Sequence, residues 1–470
     1  MSSETKPLLD GSEQSRAENL KKLRAYQPWA FAITFGGYMM AHFSRKSYST
    51  IKTKLQMDAG YSPLLLSSMD TAFMATYAIG NVVNGKMGDT YNPTTILAIG
   101  IMAGGACLLA INALIWGDVE HHSEMLGNAL IIFFYCAFGF AQSTGGPVGT
   151  AVMGNWFCDK KSVENRGTIF GLWTCHQYVG DVAAQLVSAA ILARSDVMAY
   201  WWCLLLPSIA NILWGFVTLQ LVSDPAKMNI ITPEVRIRQE KLATQRREAA
   251  EKGGAGGTMI ADEGPQAIGF IEAFQIPMVA NWAFAFGFFK MCNYAFFFWL
   301  PYFLENQFTD VEANVIASAY SFGMMPGGII VGYVSDLLGG RRATVIGVFM
   351  VTLMVFLGVF AVKSEDLSAT SFGIMLFCMG TLVGGPNNII TSAVAADLSS
   401  HPSVRGSSKS LGTVTGLING TGALVSSVGL LVIGPLQAAF GWGSVWVFML
   451  AATFTGTMLM SSKILSELRS

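Results

Sequence analysis

The stretch Gly85-Lys86-Met87-Gly88-Asp89 closes one apolar run and returns as Gly332-Tyr333-Val334-Ser335-Asp336 at the close of another, 247 positions later at the aspartate. Two further pairs recur in the same order, both offset by 239: Gly145-Gly146-Pro147 with Gly384-Gly385-Pro386, and Arg166-Gly167 with Arg405-Gly406. Three ordered coincidences at nearly one offset mark an internal duplication of about half the chain.

Composition says what the two copies are made of. Of 470 residues, 52% are hydrophobic and 13% charged, where a soluble protein has roughly a quarter charged. The 50 glycines, 31 phenylalanines and 24 methionines suit a polytopic membrane protein, because glycine lets spanning helices approach closely. With 29 Lys+Arg against 30 Asp+Glu the net charge is -1, so the field that would recruit nucleic acid is missing. Seven cysteines are scattered through apolar runs without a C-x-x-C pair, which argues against a disulfide scaffold or a zinc site.

About 30 Å of hydrocarbon requires ~20 mostly apolar helical residues. Twelve stretches qualify, at 28–50, 63–85, 93–116, 126–151, 167–193, 199–222, 273–304, 312–334, 343–362, 370–396, 404–435 and 440–462. The predicted organisation is a tail at 1–27, a six-helix bundle at 28–222, a polar linker at 223–272, a second six-helix bundle at 273–462 and a short tail at 463–470. The tail lacks an apolar core and cleavage site, so it does not read as a signal peptide. The tail, the even-numbered connections and the C-terminus hold 22 of the 29 Lys/Arg, which predicts that both termini are cytosolic. A six-plus-six parallel repeat is the plan of the major facilitator fold, in which two pseudo-symmetric bundles rock about a site near the bilayer midplane. The expected fold class is therefore an all-α membrane protein of twelve transmembrane helices in that arrangement.

An ionisable residue inside hydrocarbon is costly and marks a functional site by default. Tyr38, His42 and Arg45 share a face of span 1, with Lys46 beside them. Lys290 interrupts the apolar run 286–292 of span 7, at an offset of 245 from Arg45 that matches the repeat. Two cations from pseudo-symmetric helices suit a dianion, and the guanidinium fork suits phosphate. The competing readings are an interfacial, snorkelling Arg45-Lys46 and a structural Lys290. Span 5 carries Thr174, His176, Gln177 and Asp181, where His176 is either a packed core histidine or a ligand. Asp70, Tyr77, Asn81 and Asn84 make a polar stripe on span 2, read as cavity lining. The glycine ladders 323–332 and 412–420 read as close packing where the halves touch or slide.

Other signals carry less. Gly80 to Lys86 fits G-x-x-x-x-G-K, but Met87 replaces the Ser or Thr and no strand precedes it. His121 and His122 lie near Asp118, Glu120 and Glu124, where a solvated loop is the better reading than a metal site. Asn419-Gly420-Thr421 is a sequon inside a span, beyond reach of glycosylation.

Taken together, Ser44-Arg45-Lys46, Gln142-Ser143-Thr144-Gly145-Gly146-Pro147, Gly154-Asn155-Trp156-Phe157, Trp299-Leu300-Pro301 and the stretch 409–421, KSLGTVTGLINGT, resemble the organophosphate:phosphate antiporters of the major facilitator superfamily. Within that family the likeness is greatest to the eukaryotic sugar-phosphate exchangers related to glycerol-3-phosphate permeases. The resemblance implies that Arg45 grips a phosphate, helped by a cation on span 7 and the span 5 histidine. Three positions depart from the bacterial members: their second arginine falls at Asn293, one turn from Lys290; their histidine falls at Gln177, whereas His176 fits the eukaryotic exchangers; and a span 2 lysine is replaced by Asn81.

The expected function is exchange of an organic phosphate, such as glucose-6-phosphate or glycerol-3-phosphate, for inorganic phosphate, without covalent chemistry, cofactor or metal. The expected substrate residues are Tyr38, His42, Arg45, Lys46, Tyr77, Asn81, His176, Gln177, Lys290 and Asn293. Asp89, Asp336, Arg341 and Arg342 are expected at the gates. The alternatives are a proton-coupled organic-anion carrier using Asp181 or His176, and a non-transporting receptor or scaffold. The family resemblance points to the endoplasmic reticulum, whereas Glu4 to Leu9 reads as an acidic dileucine signal for endosomes or lysosomes.

Overall fold

A computed structural model describes residues 13–58, 60–117, 124–194, 199–232, 268–363, 367–404 and 410–469. The dileucine stretch, the acidic-histidine loop 118–122, most of the linker including its glycine run, Arg405-Gly406 and Lys409 lie outside the described residues. Among the described residues every regular element is helical.

Each of the twelve expected stretches overlaps a helix, labelled here α1 (Glu13–Ser49), α2 (Pro63–Thr90), α3 (Pro93–Trp116), α4 (Glu124–Gln142 continuing as Gly145–Trp156), α5 (Arg166–Thr174 continuing as His176–Leu192), α6 (Ala199–Leu221), α7 (Val279–Leu304), α8 (Asp310–Leu337), α9 (Arg342–Lys363), α10 (Ala369–Ile389 running through a π turn to Ala395–Ser399), α11 (Leu411–Phe440) and α12 (Trp442–Leu459). Nine of these are long and apolar enough to cross a membrane; α1, α2 and α5 fall short. Local chemistry sets several starts. Ser62 accepts from the Leu65 amide ahead of Pro63, Asn92 accepts from Thr95 ahead of Pro93, and Thr309 with Glu312 forms a capping box on α8.

Helix extends beyond the expected spans on both flanks of the described residues. α1 begins at Glu13, well before the expected span, because its charged first turns still favour helix: Glu18 and Lys22 pair at 2.9 Å, and Arg24 reaches Asp159 at 3.1 Å. At the other end, Glu467 of the short helix Ser461–Arg469 accepts from the amide and hydroxyl of Thr344 at the start of α9.

The two halves meet along pseudo-equivalent seams, α2 against α11 and α5 against α8. On the first seam the helices touch through their backbones. A Cβ on Gly416 would stand 2.4 Å from the Asn81 carbonyl oxygen, and one on Gly85 would stand 2.7 Å from that of Gly412. The α8 glycines do not serve the other seam: Gly323 and Gly327 face the Phe377 and Thr381 carbonyls of α10, inside the C-terminal half. That half also holds an aromatic core in which Phe296 stacks on Trp446 at 5.0 Å, Phe303 meets Trp442 edge to face, and Phe303 and Phe360 both meet Trp446 edge to face.

Candidate functional site

α1, α2, α4 and α5 from one half and α7, α8, α10 and α11 from the other line a cavity of about 60 Å³ between the seams. Eight of the ten expected substrate residues line it: Tyr38, His42, Arg45, Tyr77, His176, Gln177, Lys290 and Asn293. The helices are irregular where they border it. α4 breaks between Gln142 and Gly145, α5 turns at Cys175 directly before His176, and α10 winds into its π turn beside Asn387, Thr391 and Ser392.

Arg45 and Lys290 are each 3% exposed, which sets aside an interfacial Arg45. The Arg45 guanidinium lies 4.6 Å from the centre of the Tyr77 ring and 5.2 Å from that of Phe73, and reaches the Gln142 side-chain oxygen at 3.5 Å. Its Nε has no partner among the described residues. The Lys290 ammonium stands 5.5 Å from the same Tyr77 ring and 5.3 Å from Tyr294, and donates to the side-chain and backbone oxygens of Asn419. The Tyr77 ring thus lies within reach of two cations, one from each half. Cation–π contact and neutral oxygens ease the burial of these charges without cancelling them. Among the described residues no carboxylate pairs with either.

The wall formed by α1 and α5 is aromatic and basic. Gly180 lets the helices close, since a Cβ there would stand 2.3 Å from the Met39 carbonyl oxygen. That approach brings His42 Nδ1 to 3.1 Å from Asp181. His176, 1% exposed, lies 4.3 Å from Tyr38 and 4.6 Å from Trp173, ring centre to ring centre, and neither imidazole nitrogen has a partner among the described residues. A buried imidazole with both nitrogens unpaired beside a cavity is open to a ligand. Across the cavity Gln177 donates to the Asn388 side-chain oxygen at 2.7 Å, and Asn293 accepts from Tyr320 at 3.1 Å.

Several expected residues stand elsewhere. Lys46 is buried but does not line the cavity; its ammonium donates to the Phe297 carbonyl and lies over that ring, tying α1 to α7. Asn81 sits behind Asn419, accepting from its amide at 2.7 Å. The stripe on α2 is not a lining either, apart from Tyr77. Asp70 pairs with Lys52, and Asn84 donates to Ser143 at 2.7 Å, because α2 faces α4 and the α1–α2 connection on that side. Of the gating set, Asp89 accepts from the amide and hydroxyl of Thr413 at 2.8 Å each, bridging α2 to the start of α11. Asp336 reaches Arg342 at 3.6 Å, and Arg342 holds Asp397 at 2.7 Å, all within one half. Arg341 makes no ion pair among the described residues.

At the end of the bundle opposite the N-terminus, the halves are joined again. Thr53 donates to Glu305, Lys54 pairs with Asp310 at 3.0 Å, and Asn314 donates to the Thr50 carbonyl at 3.3 Å. Tyr294, Asn387 and Asn419 line the cavity without having been singled out as site residues. Tyr294 was within reach of the helical period, four residues after Lys290 on the same face.

The sequence profile described as Major Facilitator Superfamily matches residues 34–430. The chain belongs to the Major Facilitator Superfamily. Within the superfamily it is similar to Sugar phosphate exchanger 3 of Xenopus laevis, 29% identical over 94% of this chain and 92% of that one. It is also similar to "Putative glycerol-3-phosphate transporter 5" of Arabidopsis thaliana, 30% identical over 95% and 93%. A solved superfamily structure, the proton:xylose symporter XylE bound to 6-bromo-6-deoxy-D-glucose, shares the fold with a TM-score of 0.65 at 11% identity, covering 94% of this chain and 96% of that one. Membership makes this chain a multi-pass membrane transporter.

Proposed function

We propose that the protein exchanges an organic phosphate, a sugar phosphate or glycerol-3-phosphate, for inorganic phosphate by alternating access. The observation that carries this reading is the pair of buried cations, Arg45 and Lys290, one from each half, facing one cavity with no carboxylate partner among the described residues. Names of relatives at 29–30% identity support the substrate class. Each half supplies one cation, so an anion bound between them draws the halves together. Rocking without an anion would carry two unneutralised charges through a closed, low-dielectric state, a cost that either phosphate removes. This makes the transport an exchange. The two bundles at 28–222 and 273–462 are the moving bodies, with both termini on the cytosolic side of an endoplasmic reticulum membrane.

Vesicles containing the purified protein and loaded with inorganic phosphate are expected to take up labelled organic phosphate, whereas vesicles without internal phosphate are not. Uptake indifferent to internal phosphate refutes exchange. A proton-coupled reading draws on the buried His42–Asp181 pair; uptake driven by a pH gradient alone would favour it.

A further inference from the structure

Asn419 occupies a junction. Its side-chain oxygen accepts from the Lys290 ammonium, and its amide nitrogen donates across the α2–α11 seam to Asn81 at 2.7 Å and towards the Tyr77 hydroxyl at 3.5 Å. Asn81 is held in turn by its own bond to the Tyr77 carbonyl, 2.7 Å away. One neutral amide therefore spends its acceptor on a cation of the site and its donors on the opposite half. It does so within the glycine ladder Gly412, Gly416, Gly420, where α11 and α2 touch backbone to backbone and a small loosening is felt along the whole seam.

We propose that Asn419 couples occupancy of the site to the α2–α11 seam. This inference rests on the exchange reading above. While Lys290 leans on Asn419, the amide is fixed in the orientation that also bonds Asn81, and the seam is latched. A phosphate oxygen is a stronger acceptor for the ammonium than an amide oxygen is. As Lys290 turns to the anion, Asn419 loses the contact that orients it, and the bond to Asn81 is free to break. The latch holds the unloaded carrier still and yields when substrate is present, which adds a specific contact to the general cost of moving bare charges. Asn419 acts through Lys290 and Asn81, so it is a positioning residue.

The test compares one-way phosphate efflux with phosphate–phosphate exchange in the same vesicles, alongside direct titration of phosphate binding to the solubilised full-length protein. Asn419→Ala and Asn81→Ala both cut the link across the seam, the second without touching Lys290. Each is expected to raise the ratio of one-way efflux to exchange about three- to tenfold, the effect of losing one hydrogen bond, and Asn81→Ala is expected to bind phosphate as the wild type does. Asn419→Asp, which offers Lys290 a carboxylate, is expected to weaken phosphate binding and slow exchange. An unchanged ratio in Asn81→Ala overturns the proposal, even if Asn419→Ala fails to insert. So does an Asn419→Ala protein that loses binding, exchange and efflux in equal proportion, since that is the signature of a residue that merely supports Lys290. Failure of the underlying exchange reading looks different: the wild-type protein itself binds no phosphate or shows no exchange.

Discussion

At the scale of single residues, the site depends on how its cations present their donors. Arg45 offers a planar fork in a pocket whose other contacts are ring faces and one glutamine oxygen. Arg45→Lys keeps the charge and loses the fork, so phosphate binding should weaken by about 1–3 kcal/mol in titrations on correctly inserted protein. Wild-type affinity in that variant would remove Arg45 from direct contact with phosphate. Lys290 and Asn293 divide the task on α7. Lys290→Ala should weaken inorganic and organic phosphate alike, because both share the charged group, whereas Asn293→Ala, which frees Tyr320, should change the preference between them. Parallel titrations of both anions on both variants decide this, and loss of phosphate binding in Asn293→Ala alone would move the anion contact to Asn293. Much of this was legible in the sequence, since a charge among phenylalanines announces itself. Lys46 did so too, but a helix has several faces, and only packing shows that its ammonium turns to the Phe297 carbonyl. Asn419 gives no such signal, because a neutral amide in an apolar run costs little on its own, and its partners lie 129 and 338 residues away.

At the scale of helices, the internal repeat predicts equivalent gates at Asp89 and Asp336, yet the surroundings of the two carboxylates differ. Asp89 is buried and accepts from an amide in the first turn of α11, a helix start that favours negative charge, and it joins the two halves. Asp336 is half exposed and touches an arginine that already holds Asp397. Asp89→Asn should therefore change the exchange rate several-fold, in line with the difference of about 1 kcal/mol between charged and neutral hydrogen bonding, with little change in affinity. Asp336→Asn should change either quantity by less than about twofold, as exposed ion pairs do. Stopped-flow exchange with both variants checks this, and a larger effect at Asp336 would contradict it. The glycine ladders teach the same lesson. The spacing of Gly323, Gly327 and Gly412, Gly416 shows that backbones will touch, but not which helix they touch, because the pattern is the same for a partner inside the half or across it.

At the scale of the whole molecule, movement requires the seam to open at alternate ends, and the end opposite the N-terminus carries a titratable latch. Glu305, at the end of α7, accepts from Thr53 of the other half. Burial, with nearby Asp310 adding to it and Lys54 opposing it, pushes its carboxyl from 4.5 up to about 8. Asp58 also faces Lys54, at 3.7 Å. An opened end would hydrate Glu305 and return it towards its ordinary value. The closed end therefore binds the extra proton between about pH 4.5 and 8, so acid favours closure, and this contribution is lost as the pH rises through that window. Exchange measured with the pH varied on that side alone should depend on pH in this range, and Glu305→Gln should flatten the profile. A profile unchanged in Glu305→Gln would assign the titration to another group.

The uneven polarity of the helices bears on how the chain enters its membrane. Among the described residues all six helices of the C-terminal half are long and apolar enough to cross a membrane, but α1, α2 and α5 are not. An Arg, Lys or Asp at the centre of a helix opposes insertion by roughly 2.5–3.5 kcal/mol, and these three carry Arg45, Lys46, Asp70 and Asp181. Two of the contacts that shelter those charges arise only between segments made at different times: Lys52 with Asp70 once α2 has emerged, and His42 with Asp181 once α5 has. The nascent N-terminal half is then expected to stay beside the translocon until α5 is synthesised, with Lys46 gaining its Phe297 carbonyl only when α7 follows; crosslinking of α1 to the translocon that ended before α5 emerged would contradict this.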